Sequence, residues 1–273
     1  TIGSDLDLVA IYEAPEGAES DGARSLAPAV YYMRLTQRLI TALTAQTGEG
    51  CLFEVDMRLR PTGDDGPIAT HIDALARYLT EDAWTWELMA LTRARFTAGD
   101  SALAERFDAV RGEMMAKPRE RAVHLSDVAS MRSRIESAKG AGGPWDVKLR
   151  QGGMVDAEFI GQGLALLNGG DPSIQAARAP AEMFAALNTL GGMDDDRAAV
   201  LIDAASFWLS CQWVMRLLGP IGSEEADPAD DRLKAEMAAV LGYDGTSAME
   251  FARDTLAAAV SAAYLEIYSG ANI

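Results

Sequence analysis

The chain has 273 residues, 41 acidic against 24 basic, and a formal charge of −17, with 49% of its residues apolar. That is a globular composition, long enough for one large domain or two ordinary ones. Its two cysteines (Cys51, Cys211) and two histidines (His71, His124) exclude a disulfide framework and a cysteine-rich zinc site, and argue against a histidine-rich metal centre. The acidic balance argues against nucleic-acid binding, which needs a basic face, and against an anionic membrane surface. No apolar run approaches the roughly 18–20 residues of a membrane helix. The start, Thr1 to Asp5, shows neither the basic nor the apolar region of a signal peptide. A reduced, cytoplasmic protein with no nucleic-acid and no membrane partner is expected.

The first third mixes strand and helix signals. Asp7 to Tyr12 is a short apolar run of β character, ended by Glu13-Ala14-Pro15-Glu16-Gly17. Residues 16–25, rich in Gly, Ala, Ser and charge, read as a loop. From Pro28 to about Gln46, Val30, Met33, Leu35, Leu39, Ile40 and Leu43 recur at helical spacing, with Pro28 suited to a first turn and Gly48 just beyond the end. Leu52 to Arg60 alternates with period two and predicts a strand with one apolar and one charged face; Pro61 to Pro67 ends it in a turn.

Beyond about residue 71 the pattern is almost wholly helical. Segments 71–80, 83–97, 101–117, 126–139, 154–168, 180–190, 194–218, 229–241 and 246–268 fit helices, and abundant alanine supports them. Asp194-Asp195-Asp196 suits a helix start, where carboxylates meet the positive end of the dipole. Gly140 to Pro144 breaks the pattern, and Trp145 to Leu149 has strand character, predicting a return to a sheet edge before Gly152-Gly153 turns into the next helix. No repeat of fixed period is present. These elements predict an α+β class, a small mixed sheet followed by a predominantly helical bundle, divided at Lys117-Pro118-Arg119 into domains 1–118 and 119–273.

One constellation carries chemistry. Asp5-Leu6-Asp7 opens a strand, where residues i and i+2 share a face about 7 Å apart. Such carboxylates repel unless a cation lies between them, and hard oxygen ligands select Mg²⁺, with Mn²⁺ as the alternative. Asp56, mid-strand on the charged face, supplies a third carboxylate if the two strands are neighbours, and the set then suits two-metal phosphoryl or nucleotidyl transfer. Arg58 and Arg60, expected on the same strand face as Asp56, carry guanidinium forks suited to phosphate oxygens. Most isolated D-x-D pairs are solvated surface or helix caps, and charged strand faces are usually just solvated; the second strand with its Asp and two arginines is what raises this one above them.

Gly3-Ser4-Asp5-Leu6-Asp7-Leu8, Val55 to Gly63, Ala83 to Arg95 and Asp146 to Ile160 together resemble, in family order, the glutamine synthetase adenylyltransferases, members of the polymerase β-type nucleotidyltransferase superfamily. Residues 161–273 resemble that family only in being helical. The resemblance implies ATP as substrate, Mg²⁺ as cofactor, glutamine synthetase as partner and the PII signal protein as a partner of the full-length parent. It implies Asp5, Asp7 and Asp56 as metal-binding and catalytic, and Ser4, Arg58, Arg60, Lys148 and Glu158 as substrate- or phosphate-binding. The family carries two nucleotidyltransferase units in one chain, of which 273 residues hold one. Trp84-Thr85-Trp86-Glu87 and the loop before Pro28 look more like the C-terminal, AMP-adding unit than the AMP-removing one. The family's first sheet strand and Gly-Gly phosphate loop, upstream of D-x-D, are expected to lie outside this sequence.

The remaining features have plainer readings. Trp84, Trp86, Trp208 and Trp213 at helical positions predict packing, with adenine stacking the alternative. His71 and His124 precede helix starts, and Cys211 reads as buried. Asp194 to Asp196 and Glu224 to Asp231 read as solvated helix starts and loops. Neither histidine lies near a recognisable nucleophile motif, which excludes a Ser-His-Asp hydrolase.

Overall fold

The computed structural model describes residues 4–51, 53–218 and 231–269. The chain divides into two compact units: Gly3–Glu87 with Arg95–Met114, here the α/β unit, and Thr1–Ile2, Leu88–Ala94 and Met115–Ile273, here the helical unit. The class is α+β and mostly helical, as the periodicities predict.

In the α/β unit the expected first strand splits into β1 (Leu6–Asp7) and β2 (Ala10–Tyr12), and α1 (Pro28–Leu43) follows the loop. Then come β3 (Val55–Asp56), a 3₁₀ turn at Gly63–Asp65, β4 (Ala69–His71) and α2 (Ile72–Glu81). β1 pairs with β3 and β2 with β4, both in parallel. The expected strand over 52–60 is shorter than its alternation suggests: β3 ends at Asp56, and the chain then turns. The Arg60 N–H donates to the Met57 carbonyl and the Gly63 N–H to the Arg60 carbonyl at 2.9 Å, and Thr62 sits at φ 59°. Met57 is buried but Leu59 is exposed, so the period-two pattern outruns the pairing that would use it.

Two local devices complete this unit. His71, expected at a helix start, caps α2 by accepting from the Asp73 N–H at 3.2 Å. Arg106 pairs with both Glu13 and Asp73, tying α4 (Ser101–Ala116) to the end of β2 and the start of α2. On α1, by contrast, Tyr31, Leu35, Leu39 and Leu43 form an i, i+4 row that is exposed, and Thr36 is its one buried residue.

α3 (Thr85–Arg93) begins among residues of the α/β unit and ends among those of the helical unit. The latter holds α5 (Arg121–Lys139), α6 (Met154–Leu167), α7 (Pro172–Ala176), α8 (Pro180–Thr189), α9 (Asp195–Leu218), α10 (Asp231–Val240) and α11 (Thr246–Ser269). α5 starts five residues earlier than its pattern predicts. Glu120 caps it, accepting from the Ala122 and Val123 N–H groups at 3.0 and 2.7 Å. α6 is buried almost all round among α5, α8, α9 and α11. By length and composition α9 alone among the described helices could cross a membrane, contrary to the sequence expectation. Leu201, Ala204, Trp208 and Cys211 on it are fully buried in the helical core, which accounts for the apolar composition.

Trp145 to Leu149 forms no strand. The Val147 and Lys148 carbonyls accept from the Met154 and Val155 N–H groups at 2.8 and 3.1 Å, and Asp146 accepts from the Lys148 and Leu149 N–H groups. The segment therefore spends its backbone groups on the first turn of α6, not on a sheet edge. Gly152 makes that turn possible. Its φ is +70°, and a Cβ there would lie 1.8 Å from the Ala257 carbonyl oxygen of α11.

The acidic stretch from Glu224 to residue 230 lies outside the described residues.

Candidate active site

The opening strand is built as its alternation predicts. From Ser4 to Ala10 exposure alternates, with Ser4, Leu6 and Leu8 half-buried and Asp5, Asp7 and Val9 exposed. Asp5 and Asp7 thus share the open face. The Leu6 and Leu8 N–H groups donate to the Glu54 and Asp56 carbonyls, each at 2.8 Å, and the parallel register sets Asp7 directly beside Asp56. A sequence separation of 49 residues is thereby closed at one rung of a two-residue ladder.

Asp56 is held by its own neighbour. Arg58 Nε donates to Oδ1 and Oδ2 at 3.0 and 2.8 Å, Nη2 also reaches Oδ2, and the Arg58 backbone N–H donates to Oδ1 at 2.8 Å. The hydrogen bond from the Arg58 side chain is the main cause that holds the Asp56 carboxyl below its ordinary range, with the charges of Arg58 and Arg60 adding to it against partial burial. Arg58 is raised in turn by Asp56, and more weakly by Asp64 and Asp5.

Arg60 is placed differently from what strand alternation implies. Because the chain turns after Asp56, Arg60 is buried: Nη1 donates to the Met57 carbonyl at 2.8 Å, Nε to the Gly66 carbonyl at 3.2 Å, and Nη2 pairs with Asp64. It clasps the loop that carries Arg58. Ser4 is half-buried just ahead of Asp5. Lys148 and Glu158 belong to the helical unit, where Lys148 is exposed and Glu158 accepts from Arg93 Nη1 at 2.7 Å.

The tryptophans depart from expectation. Trp84 is 67% exposed, and Trp86 and Trp213 are also exposed, whereas Trp208 is buried. What the segment 84–87 contributes structurally is Glu87, which accepts from the Trp84 backbone N–H at 2.8 Å and from the Tyr78 hydroxyl at 2.8 and 3.0 Å. Sequence reasoning also missed Arg132. It donates to Asp156 and to the Leu149 carbonyl, while the other Asp156 oxygen accepts from the Gly152 N–H, so one buried ion pair fastens α5, α6 and the glycine turn. A lone arginine in a helical run gives no sequence signal that it faces inward.

Three carboxylates with only oxygen donors, two of them locked in register and one kept ionised, are chemically suited to Mg²⁺ or Mn²⁺. Among the described residues no three His, Cys, Asp or Glu side chains close into a metal cage. Asp56 is turned to Arg58 instead.

Residues 1–110 match the family described as glutamate-ammonia ligase adenylyltransferase. Over those residues the chain is similar to that family. It is 45% identical over 218 residues to the bifunctional glutamine synthetase adenylyltransferase/adenylyl-removing enzyme of Brucella suis biovar 1, covering 80% of this chain and 22% of the relative. It is 49% identical over 170 residues to the protein of that name from Mesorhizobium japonicum (62% and 17%). The protein of that name from Rhodopseudomonas palustris strain TIE-1 is 39% identical over 268 residues, 93% of this chain and 26% of the relative. That last match carries the likeness through the helical half, which from the sequence resembled the family in helicity alone. The chain spans about a quarter or less of the length of these adenylyltransferases.

Proposed function

We propose that this chain carries the unit that transfers AMP from ATP to a tyrosine hydroxyl of glutamine synthetase. The observation that carries the reading is the register of Asp7 against Asp56 with Arg58 forked onto the latter. In the reaction the tyrosine oxygen attacks the α-phosphorus of ATP, the bond to the β-phosphate bridging oxygen breaks, and pyrophosphate leaves. Asp5, Asp7 and Asp56 would hold Mg²⁺, whose chemistry when bound is to lower the pKa of the attacking hydroxyl and neutralise phosphate charge. Asp56, kept ionised, attracts the hydroxyl proton and orients the nucleophile. Arg58 meets phosphate oxygens with two parallel N–H groups, while Arg60 keeps the Arg58 turn in place. In this reading Ser4 binds substrate in the α/β unit, Lys148 and Glu158 are substrate-binding residues of the helical unit, PII is a partner of the full-length protein and the cytoplasm is its place.

The printed name of the relatives includes adenylyl removal, so the second reading is attack of inorganic phosphate on AMP-tyrosine, releasing ADP. α-Labelled ATP with unmodified glutamine synthetase, set beside phosphate with the adenylylated form, separates the two. Label retained on the synthetase supports addition, and labelled ADP from the modified form supports removal. Neither product, with partner binding intact, leaves a helical binding module with a vestigial site.

A further inference from the structure

We propose that Arg58 is an exchangeable latch on Asp56. It occupies the carboxylate while no divalent cation is bound, and on release it becomes the arginine that meets phosphate. The inference rests on the metal-dependent reading above and adds a competition that the reading does not contain.

The geometry is that of a competitor. Nε spans both Asp56 oxygens, Nη2 adds a second contact to Oδ2, and the backbone N–H of the same residue takes Oδ1. Both oxygens that a cation would bind are already engaged by a guanidinium. The two partners are unequal: the Arg58 side chain is 71% exposed and the Asp56 side chain 13%. Asp56 is fixed, by the ladder to Asp7 and by the backbone N–H of Arg58, which remains after the guanidinium leaves. Arg58 lies in the turn beyond the strand, and Arg60, buried against Met57 and Gly66, anchors that turn independently. The element that can move is therefore the Arg58 side chain. With its guanidinium this exposed, the pair is weak enough to open on demand. Asp5 and Asp64 also act on Arg58, so the guanidinium sits within the acidic field that would hold the cation.

A latch and a simple phosphate-binding arginine differ in sign at one observable. Removing a latch strengthens metal binding even as transfer weakens. Removing a phosphate-binding arginine weakens transfer and leaves metal binding alone. The probe is Mn²⁺ alone, titrated into the full-length protein with free Mn²⁺ read by electron paramagnetic resonance at fixed ionic strength. The proteins are wild type, Arg58→Met, Arg58→Lys and Asp56→Asn. The expected result is binding about two- to fivefold tighter in Arg58→Met, the ratio an exposed ion pair sustains, with Arg58→Lys between it and wild type. Asp56→Asn should lose the site, and in wild type the Arg58 Nε–Hε resonance should move on saturation with Mg²⁺. Unchanged or weaker Mn²⁺ binding in Arg58→Met, or Arg58→Lys identical to wild type, overturns the latch while the metal site stands. Undiminished Mn²⁺ binding in Asp56→Asn overturns the metal-site reading, and the latch with it.

Discussion

The two units spend their sequence differently. The α/β unit brings its acidic residues together on strands of two or three residues, and of the largest fully buried side chains among the described residues only Ile72 belongs to it. The helical unit fully buries Met89, Ile160, Phe184, Leu201 and Trp208 among others, and even its ionic groups, Arg132 and Asp156, are buried together. In the first unit Asp5 and Asp7 lie on an exposed strand face. In the second, charge serves to fasten elements. Regions that must bind and release tend to be the less densely packed ones.

Four sets of experiments bear on that contrast, from the largest effect to the smallest. Asp7→Asn and Asp56→Asn should each lower AMP transfer by about two to three powers of ten, because an electrostatic contact made in the transition state is lost. Their thermal melting should stay close to wild type, since Asp7 is exposed and Asp56 lies at the end of a two-residue strand. A mutant with near-normal turnover at saturating Mg²⁺ would remove that residue from the site. A large drop in melting temperature would show that these two carboxylates hold the α/β unit together.

In the helical unit the readout reverses. Gly152→Ala forces a Cβ into the Ala257 carbonyl at a φ of +70°, and Arg132→Met leaves Asp156 buried without its partner. Each should destabilise by about 3–5 kcal/mol, measured by denaturant unfolding. Replacing both members of the pair, Arg132→Met with Asp156→Leu, should recover part of that loss, because no uncompensated charge then stays buried. Equal loss in the single and double variants would mean the arginine matters for shape alone.

His124 gives a smaller, pH-dependent effect. It is buried, and its Nε2 lies 2.9 Å from the Gly163 carbonyl, to which the neutral ring donates. Burial first, then the charges of Arg119 and Arg121, lower its pKa below the ordinary 6.5. The unfolded chain therefore takes up a proton as pH falls below about 6.5 while the folded one does not. This contribution is fully present above 6.5 and lost as pH falls toward the lowered value, at no more than about 1.4 kcal/mol per pH unit for one proton. His124→Gln, which keeps a donor for Gly163, should flatten that slope. A wild-type unfolding free energy with the same slope as the variant between pH 7 and 5 would rule out the titration.

Smallest is a difference in chemistry without a change in stability. Burial pushes the Cys211 thiol up to about 12, whereas Cys51 is partly exposed. Iodoacetamide on the native protein should label Cys51 and spare Cys211 until the helical unit unfolds. Simultaneous labelling would show that the helical core opens as readily as the surface of the other unit.

How far the sequence could be read follows the range of the interactions involved. The D-x-D alternation, most of the helical segments and the glycine turn before α6 rest on neighbours a few residues away, and they stand where the local pattern put them. The long strand over 52–60 and the strand at Trp145 to Leu149 did not form. Whether an alternating segment becomes a strand depends on a partner edge, and there the carbonyls found nearer donors in tight turns. Arg58 and Arg60 look interchangeable in sequence, but one is an exposed fork on Asp56 and the other a buried clasp on its own loop.

Composition, periodicity and the ordered blocks of residues by themselves determined the class, the three carboxylates and the family resemblance, because each is written in local spacing or residue identity. Only the tertiary structure decided that Asp7 stands beside Asp56, that Arg58 occupies that carboxylate, and that Arg132 and Asp156 meet inside the helical core. The first and last of these pairings join distant residues through a backbone ladder and buried space, and the free energy of such a contact depends on what surrounds it, which no run of sequence contains.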